Sequence, residues 1–296
     1  MALTTGYDPA QIEALCTRIG QTRQALRAFV PNEPLGELDL VCGCSDCIAD
    51  ADYRRLVSRS PATFTGRDIG AYFGGAGAVD APETDEARTE AFAIYLHVLD
   101  HLADAVLASR DLERAYTRVH SFVEPSYWLE PLYATDLIDA LDPAAAQKIS
   151  RLLTDLTELG VARNHARLPD VLIYLSRATD RFRMVVDSFL YGPPRRHLAF
   201  WVAVAGWTPN SPAGRQNNGV SDFRRSFSFM KPEDRVFLED ALADPGRGAL
   251  LERYAFAARD ADWLGYLSRL VAWRENTIMR SRSNRAEATR GEVDRF

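Results

Sequence analysis

The sequence predicts an all-α protein, a multi-helix orthogonal or solenoid-like bundle. Three observations carry that class. Apolar residues recur at steps of three, four and seven through long stretches, the signature of a helix with one buried face. Several stretches open on helix-start chemistry, an oxygen-bearing cap followed by Pro at the first helical position. No segment alternates apolar and polar residues with period two, and the pair Asn218-Gly219 lies in a polar loop rather than between two alternating runs. No internal repeat of fixed period is visible.

The first predicted helix starts at Asp8-Pro9-Ala10-Gln11, a cap, a Pro and a capping-box Gln, and runs to about Phe29 with Ile12, Leu15, Ile19 and Leu26 on one face. Pro31, Pro34 and Gly36 make Val30 to Leu40 a connector. Thr65-Gly66-Arg67-Asp68 reads as a second start, with Gly74-Gly75-Ala76-Gly77 as its stop. From Pro82 a long amphipathic stripe follows, through Phe92, Tyr95, Leu96, Leu99, Leu102 and Val106. Asp142-Pro143 opens a helix to about Leu159. The stretch Leu168 to Leu190 reads as one long helix stopped by Gly192-Pro193-Pro194. Lys231-Pro232-Glu233-Asp234 opens another, and Asp260 to Ile278 closes the ordered part. Gly206 to Ser221 reads as a loop of 16 residues, and the polar stretch from Arg280 to Phe296 as a fraying tail. The expected organisation is an N-terminal helical module over 1–109, a C-terminal helical region over 110–279 continuous with it, and a flexible tail over 280–296.

Composition narrows the function classes. The 296 residues are 47% apolar with a formal net charge of −6, which suits a folded chain and argues against wholesale disorder. A mildly acidic chain lacks the basic surplus of a general nucleic-acid binder. The longest nearly apolar run, Leu198 to Trp207, is ten residues, half of what a bilayer requires, so no membrane span is expected. Met1 to Pro9 has neither a basic nor an apolar leader segment, and the expected location is the cytoplasm, where thiols stay reduced. Charge is uneven. Residues 1–109 hold 8 Arg, no Lys and 16 acids, whereas Lys148 and Lys231, the only lysines, lie beyond them. Solvated helix faces account for this, with an acidic face for a basic partner as the alternative.

One segment concentrates chemistry. Cys42-Gly43-Cys44-Ser45-Asp46-Cys47 sets three thiols within six residues, and Gly43 lets the backbone fold tightly enough for them to converge on one ion. Thiolates favour zinc, and a structural zinc site takes four protein ligands, usually Cys or His. Cys16, the fourth cysteine, lies on a mostly apolar helix stripe and reads as a small core residue, with ligation as the alternative. His97 and His101 sit one turn apart on the long helix, and pairing the cysteine loop with His97 would clip the connector onto that helix, with His101 as an alternative ligand. Reduced structural thiols and a Cys44/Cys47 redox pair are the other readings. The βαβ setting of a redox Cys-x-x-Cys is missing, and an iron–sulfur cluster would need Cys16 as fourth ligand.

Cys42 to about Ser109 resembles an uncharacterised bacterial family with a Cys-x-Cys-x-x-Cys cluster, a short Leu/Pro-rich segment, a helix ending near a Tyr, and a Phe-x-His-Phe-Leu-Pro-Arg helix. The corresponding pieces here are Cys42 to Cys47, Ser60-Pro61 with Phe64 to Ile69, Tyr72, and Tyr95-Leu96-His97-Val98-Leu99-Asp100-His101. The chain departs from that pattern at Asp100 and His101, where it would have Pro and Arg. The resemblance implies no activity, and it implies His97 as fourth ligand.

Phosphate-loop, nucleophile-elbow and His-Glu-x-x-His motifs are missing, as is a dinucleotide fingerprint after a strand; Gly74 to Gly77 follows a helix and reads as a turn. His97, Asp100, His101 and Asp104 share one flank of a helix, where a water-activating metal is one reading and solvated charge the other. His165 beside Arg163 and Asn164 reads as surface polarity. Arg195 and Arg196, after Pro193-Pro194, would sit at a helix N-terminus as an anion contact or simply be solvated. Trp201, Trp207, Trp263 and Trp273, with Phe223, Phe227 and Phe229, supply either core or a groove for a peptide or protein helix. Arg195 and Arg196, with Trp207, Asn217 and Asn218 of the 206–221 loop, make up a possible binding surface.

These observations predict a non-catalytic binding or scaffold protein, of inhibitor type (immunity or regulatory), with a small metal-clipped N-terminal module, structural zinc on Cys42, Cys44, Cys47 and His97, and a protein partner. The alternatives are a metal-dependent hydrolase built on the His97-Asp100-His101-Asp104 face and a thiol redox sensor. No nucleic-acid or membrane partner is expected.

Overall fold

A computed structural model describes residues 7–75, 84–108, 142–163, 168–192, 196, 200 and 230–243. Among these residues there are eight helices and no strand, so the chain is all-α. No described helix is long and apolar enough to cross a membrane.

Helix α1, Pro9–Arg27, starts as its sequence demands. The Asp8 carboxylate accepts the Gln11 N–H at 2.8 Å, and the Gln11 side chain accepts the Asp8 N–H at 3.2 Å. Its buried face is Leu15, Ile19, Thr22 and Leu26. The connector that follows is pinned by buried Val30, Leu38, Val41 and Ile48. Helix α2, Asp50–Val57, carries Asp50 and Asp52 in its first turn and Arg54 and Arg55 in its last, complementing the helix dipole at both ends. A 3-10 turn, Pro61–Thr63, is capped by the Ser60 hydroxyl, which also donates to the Pro31 carbonyl at 2.7 Å.

Helix α3 is Gly66–Gly75. Thr65 and Asp68 cap it reciprocally: the carboxylate accepts the Thr65 N–H at 2.7 Å, and the Thr65 hydroxyl accepts the Asp68 N–H at 3.4 Å. Helix α4, Asp85–Leu107, is capped by the Thr84 hydroxyl, while Pro82 lies outside the described residues. Its stripe is fully buried at Ile94, Leu99, Leu102 and Val106. Helix α5, Pro143–Ala162, opens on Asp142, whose side chain accepts the Ala144 N–H at 2.7 Å.

The stretch read as a single helix from Leu168 to Leu190 is in fact two, α6 (Leu168–Ala178) and α7 (Phe182–Leu190). The Thr179 hydroxyl accepts the Arg181 N–H at 2.9 Å and receives the Ser150 hydroxyl of α5 at 3.4 Å. That local side-chain bond competes with helix continuation, and the restart buries Phe182. From Val171 to Ser176 every residue of α6 is fully buried, making it the central helix. Helix α8, Pro232–Ala243, packs on α7. Its buried Asp234 accepts from the Ser176 hydroxyl at 2.8 Å and from Arg183 at 3.4 Å.

Helix α1 packs on both α4 and α5, and α5 packs on α6. Ion pairs mark these seams: Arg18 to Asp155 at 3.0 Å, and Arg23 to Asp100 and Asp104, each at 2.7 Å. Arg163, just past α5, donates to the Val106 and Leu107 carbonyls at 3.1 and 2.7 Å, satisfying the open C-terminal end of α4. One apolar cluster runs through all these helices. The predicted helix over 260–278, the 206–221 loop and the tail lie outside the described residues.

Candidate metal centre

The cysteine loop is held at both shoulders by apolar anchors, Val41 before it and Ile48 after it. Within it, the Cys47 and Ile48 N–H groups both donate to the Cys44 carbonyl, at 3.1 and 3.2 Å, and the Cys42 N–H donates to the Gly75 carbonyl at the end of α3 at 3.1 Å. The backbone therefore curls into a turn fixed to one helix terminus. The three sulfurs lie within 4.8 Å of one another, Cys42 and Cys44 at 3.1 Å, and all three residues are exposed. They are close enough to bind a metal ion. Zn–S bonds of about 2.3 Å at tetrahedral angles set sulfurs about 3.8 Å apart, inside the range these side chains span.

The thiols are already polarised against one another. Hydrogen bonds from the Cys42 and Cys47 thiols, helped by the Cys47 and Asp46 N–H groups, pull Cys44 down to about 7, whereas donating to Cys44 and Cys42 pushes Cys47 up to about 11. Cys44 is thus the thiol whose ionised form the turn favours, with its neighbours donating to it. A metal ion would replace those shared protons.

Gly75 is where α3 meets the loop, and the approach leaves no room for a side chain. A Cβ there would stand 2.5 Å from Val41 Cγ1 and 3.0 Å from Ile48 Cβ, both stiff β-branched anchors of the cysteine turn. Gly75→Ala is accordingly expected to cost about 1–2 kcal/mol in a urea titration. An unchanged midpoint would mean that α3 and the loop separate freely.

Two buried carboxylates frame the loop, and sequence reasoning missed both as functional groups. Glu90 of α4 accepts the Asp39 N–H at 2.6 Å and the Leu40 N–H at 3.4 Å, just ahead of Cys42, and is hydrogen-bonded by the Tyr72 hydroxyl of α3. Burial pushes its carboxyl up to about 7. The available signal was its register: Glu90 is four residues from Ile94 and eight from Val98, on the core face. Asp68 receives Arg55 and Arg59 at 2.8 and 2.9 Å in addition to Thr65, fastening α2 to α3.

The His97 Nε2 is engaged by the Pro61 carbonyl, and its ring stacks on Phe64 with centroids 5.9 Å apart. Burial lowers its basicity. A carbonyl only accepts, so Nε2 carries the proton and Nδ1 keeps the lone pair. Asp100 and Asp104 both face Arg23, and Asp100 also meets Arg27 at 3.2 Å. His101 is half-buried on the same helix. Cys16 is half-buried against the core, its sulfur 3.3 Å from Arg163 Nη2. Among the described residues, the three cysteines are the one group of three or more side chains whose ligand atoms converge in this way. The Arg196 guanidinium lies over the Tyr7 ring at 4.3 Å, while Arg195, Trp207, Asn217 and Asn218 lie outside the described residues.

The class defined by fold and site is an all-α protein bearing an exposed three-thiol turn. In comparison with known proteins, no family model matches the chain, and neither a curated protein nor a solved structure matches it.

Proposed function

We propose that this is a non-catalytic binding or scaffold protein, of regulatory or inhibitor (immunity) type, whose cysteine turn holds a structural zinc ion and thereby fixes the surface it presents to a protein partner. The observation that carries the reading is the convergence of the sulfurs of three exposed cysteines within 4.8 Å on a turn bonded to the end of α3. Thiolates select zinc among the common divalent ions. Three of the donors are Cys42, Cys44 and Cys47, and the fourth is what the variants below decide. His97 enters as the residue the test must separate, because its Nε2 is taken by the Pro61 carbonyl and the converging ligand atoms are those of the three cysteines.

The hydrolase reading gains less from the geometry. Its two carboxylates, Asp100 and Asp104, are both paired with Arg23, a partner that a catalytic cation would have to displace.

Metal content of the full chain, purified reduced and untagged, tests the proposal. Plasma mass spectrometry is expected to find about one zinc per chain, lost in Cys44→Ser and kept in His97→Ala. Zinc lost with His97→Ala as well would restore the four-ligand clip through that histidine. No zinc in the reduced wild type overturns the reading.

A further inference from the structure

We infer that the cysteine turn is a redox-gated metal site, in which a peroxide oxidises Cys44 and Cys47 to a disulfide and the zinc is expelled. The inference deepens the zinc reading and rests on it. Three features point to this. First, all three cysteines are exposed, so a small oxidant reaches the turn without any opening of the fold. Second, the Cys47 N–H to Cys44 carbonyl bond closes a four-residue turn, which brings its end Cα atoms within about 7 Å, the span a disulfide needs. Third, Cys42 Sγ stands 3.1 Å from Cys44 Sγ, so a third thiol is placed to exchange with the oxidised pair, shifting the disulfide onto Cys42 and freeing Cys47, and an added dithiol then completes the reduction.

The chemistry balances with the oxidant named. The Cys44 thiolate attacks one peroxide oxygen, forming a sulfenic acid as the O–O bond breaks and hydroxide leaves. The Cys47 sulfur then displaces the sulfenic oxygen as a second hydroxide. Two thiolates have given two electrons to one hydrogen peroxide, yielding one disulfide and two hydroxide ions. A lone Cys42 thiolate no longer satisfies zinc, which prefers three or four protein ligands. The Cys42 N–H bond to Gly75 is backbone and survives oxidation, so the loop stays seated and the step can be reversed.

The experiment titrates zinc-loaded full-length protein with hydrogen peroxide under argon. It follows released zinc with a chromogenic chelator, free thiols by alkylation, and the linkage by peptide mass spectrometry. Release of the bound zinc in step with loss of two thiols, a Cys44–Cys47 linkage, and recovery of both on adding dithiothreitol and zinc are expected. Cys16→Ser is expected to behave as wild type, whereas Cys42→Ser forms the Cys44–Cys47 linkage with no exchange onto residue 42. Zinc that stays bound while excess peroxide is consumed elsewhere overturns the gate and leaves the clip standing. A linkage confined to Cys42 and Cys44 overturns the assigned pair. Absence of zinc from the reduced protein overturns the clip itself, and the gate with it.

Discussion

Asp68→Ala is expected to lower the free energy of unfolding by about 2–3 kcal/mol, because it breaks a buried carboxylate away from two guanidiniums and a helix cap at once. The side chain is 2% exposed and accepts from Arg55, Arg59, the Thr65 N–H and the Thr65 hydroxyl. Removing a partner from a well-buried ion pair costs more than this, but Arg55 and Arg59 are 27% and 34% exposed and regain water, which discounts the loss. Asp68→Asn keeps the shape and part of the cap, and should fall between wild type and Ala. A pH dependence accompanies the effect. Burial alone would raise the carboxyl, but the hydrogen bonds from Thr65 and Arg55 and the charge of Arg59 outweigh it and hold the group at about 2. A depressed carboxyl contributes stability above its unfolded value of 3.8 and loses it as pH falls from there toward 2. Urea titrations at pH 7 and pH 3 check both statements. A loss under about 0.5 kcal/mol at pH 7 would show that α2 and α3 are not joined through this residue.

Glu90 gives the opposite slope. Desolvation raises its carboxyl from 4.5 to about 7 despite the bonds from Tyr72, Asp39 and Leu40. The folded state then holds the proton more tightly than the unfolded chain, so stability falls as pH rises from 4.5 to 7 and is level above that. At about 1.4 kcal/mol per unit, the full contribution is about 3.5 kcal/mol. The lowered basicity of His97 acts in reverse, favouring the folded state as pH rises toward 6.5. The difference between wild type and Glu90→Gln isolates the carboxyl, since His97 is common to both. Thermal melts across pH 4–8 should show the variant gaining on wild type as pH increases. Parallel profiles would mean that Glu90 titrates as an exposed acid and does not tether the connector.

Much of the fold was legible because its signals are local. The capping boxes at Asp8 and Thr65, the Pro at 9, 143 and 232, and the α4 stripe each name a helix from within a few residues. Helix α2 escaped notice because eight residues with only Leu56 buried show no periodicity. The break at Thr179 escaped because it contains neither Gly nor Pro; what ends α6 there includes a contact from Ser150, 29 residues earlier. The site divides the same way. Three cysteines in six residues announce their own convergence, whereas Glu90 reaches a partner 51 residues away and His97 one 36 residues away. Spacing along the chain carries no information about pairings of that kind.

The seam between α1 and α5 has a consequence for synthesis. Arg18 and Asp155 are 137 residues apart, and α1 buries Leu15, Ile19 and Leu26 partly against a helix that the ribosome has yet to make. At translation rates of about 5–20 residues per second, the N-terminal helix waits on the order of 10 s for its main neighbour, with its apolar face open on the nascent chain. Helix α4 is made first and also packs on α1, so it can cover part of that face in the interval. The order of emergence thus makes α4 the chain's own first guard against aggregation, and α5 the event that completes it.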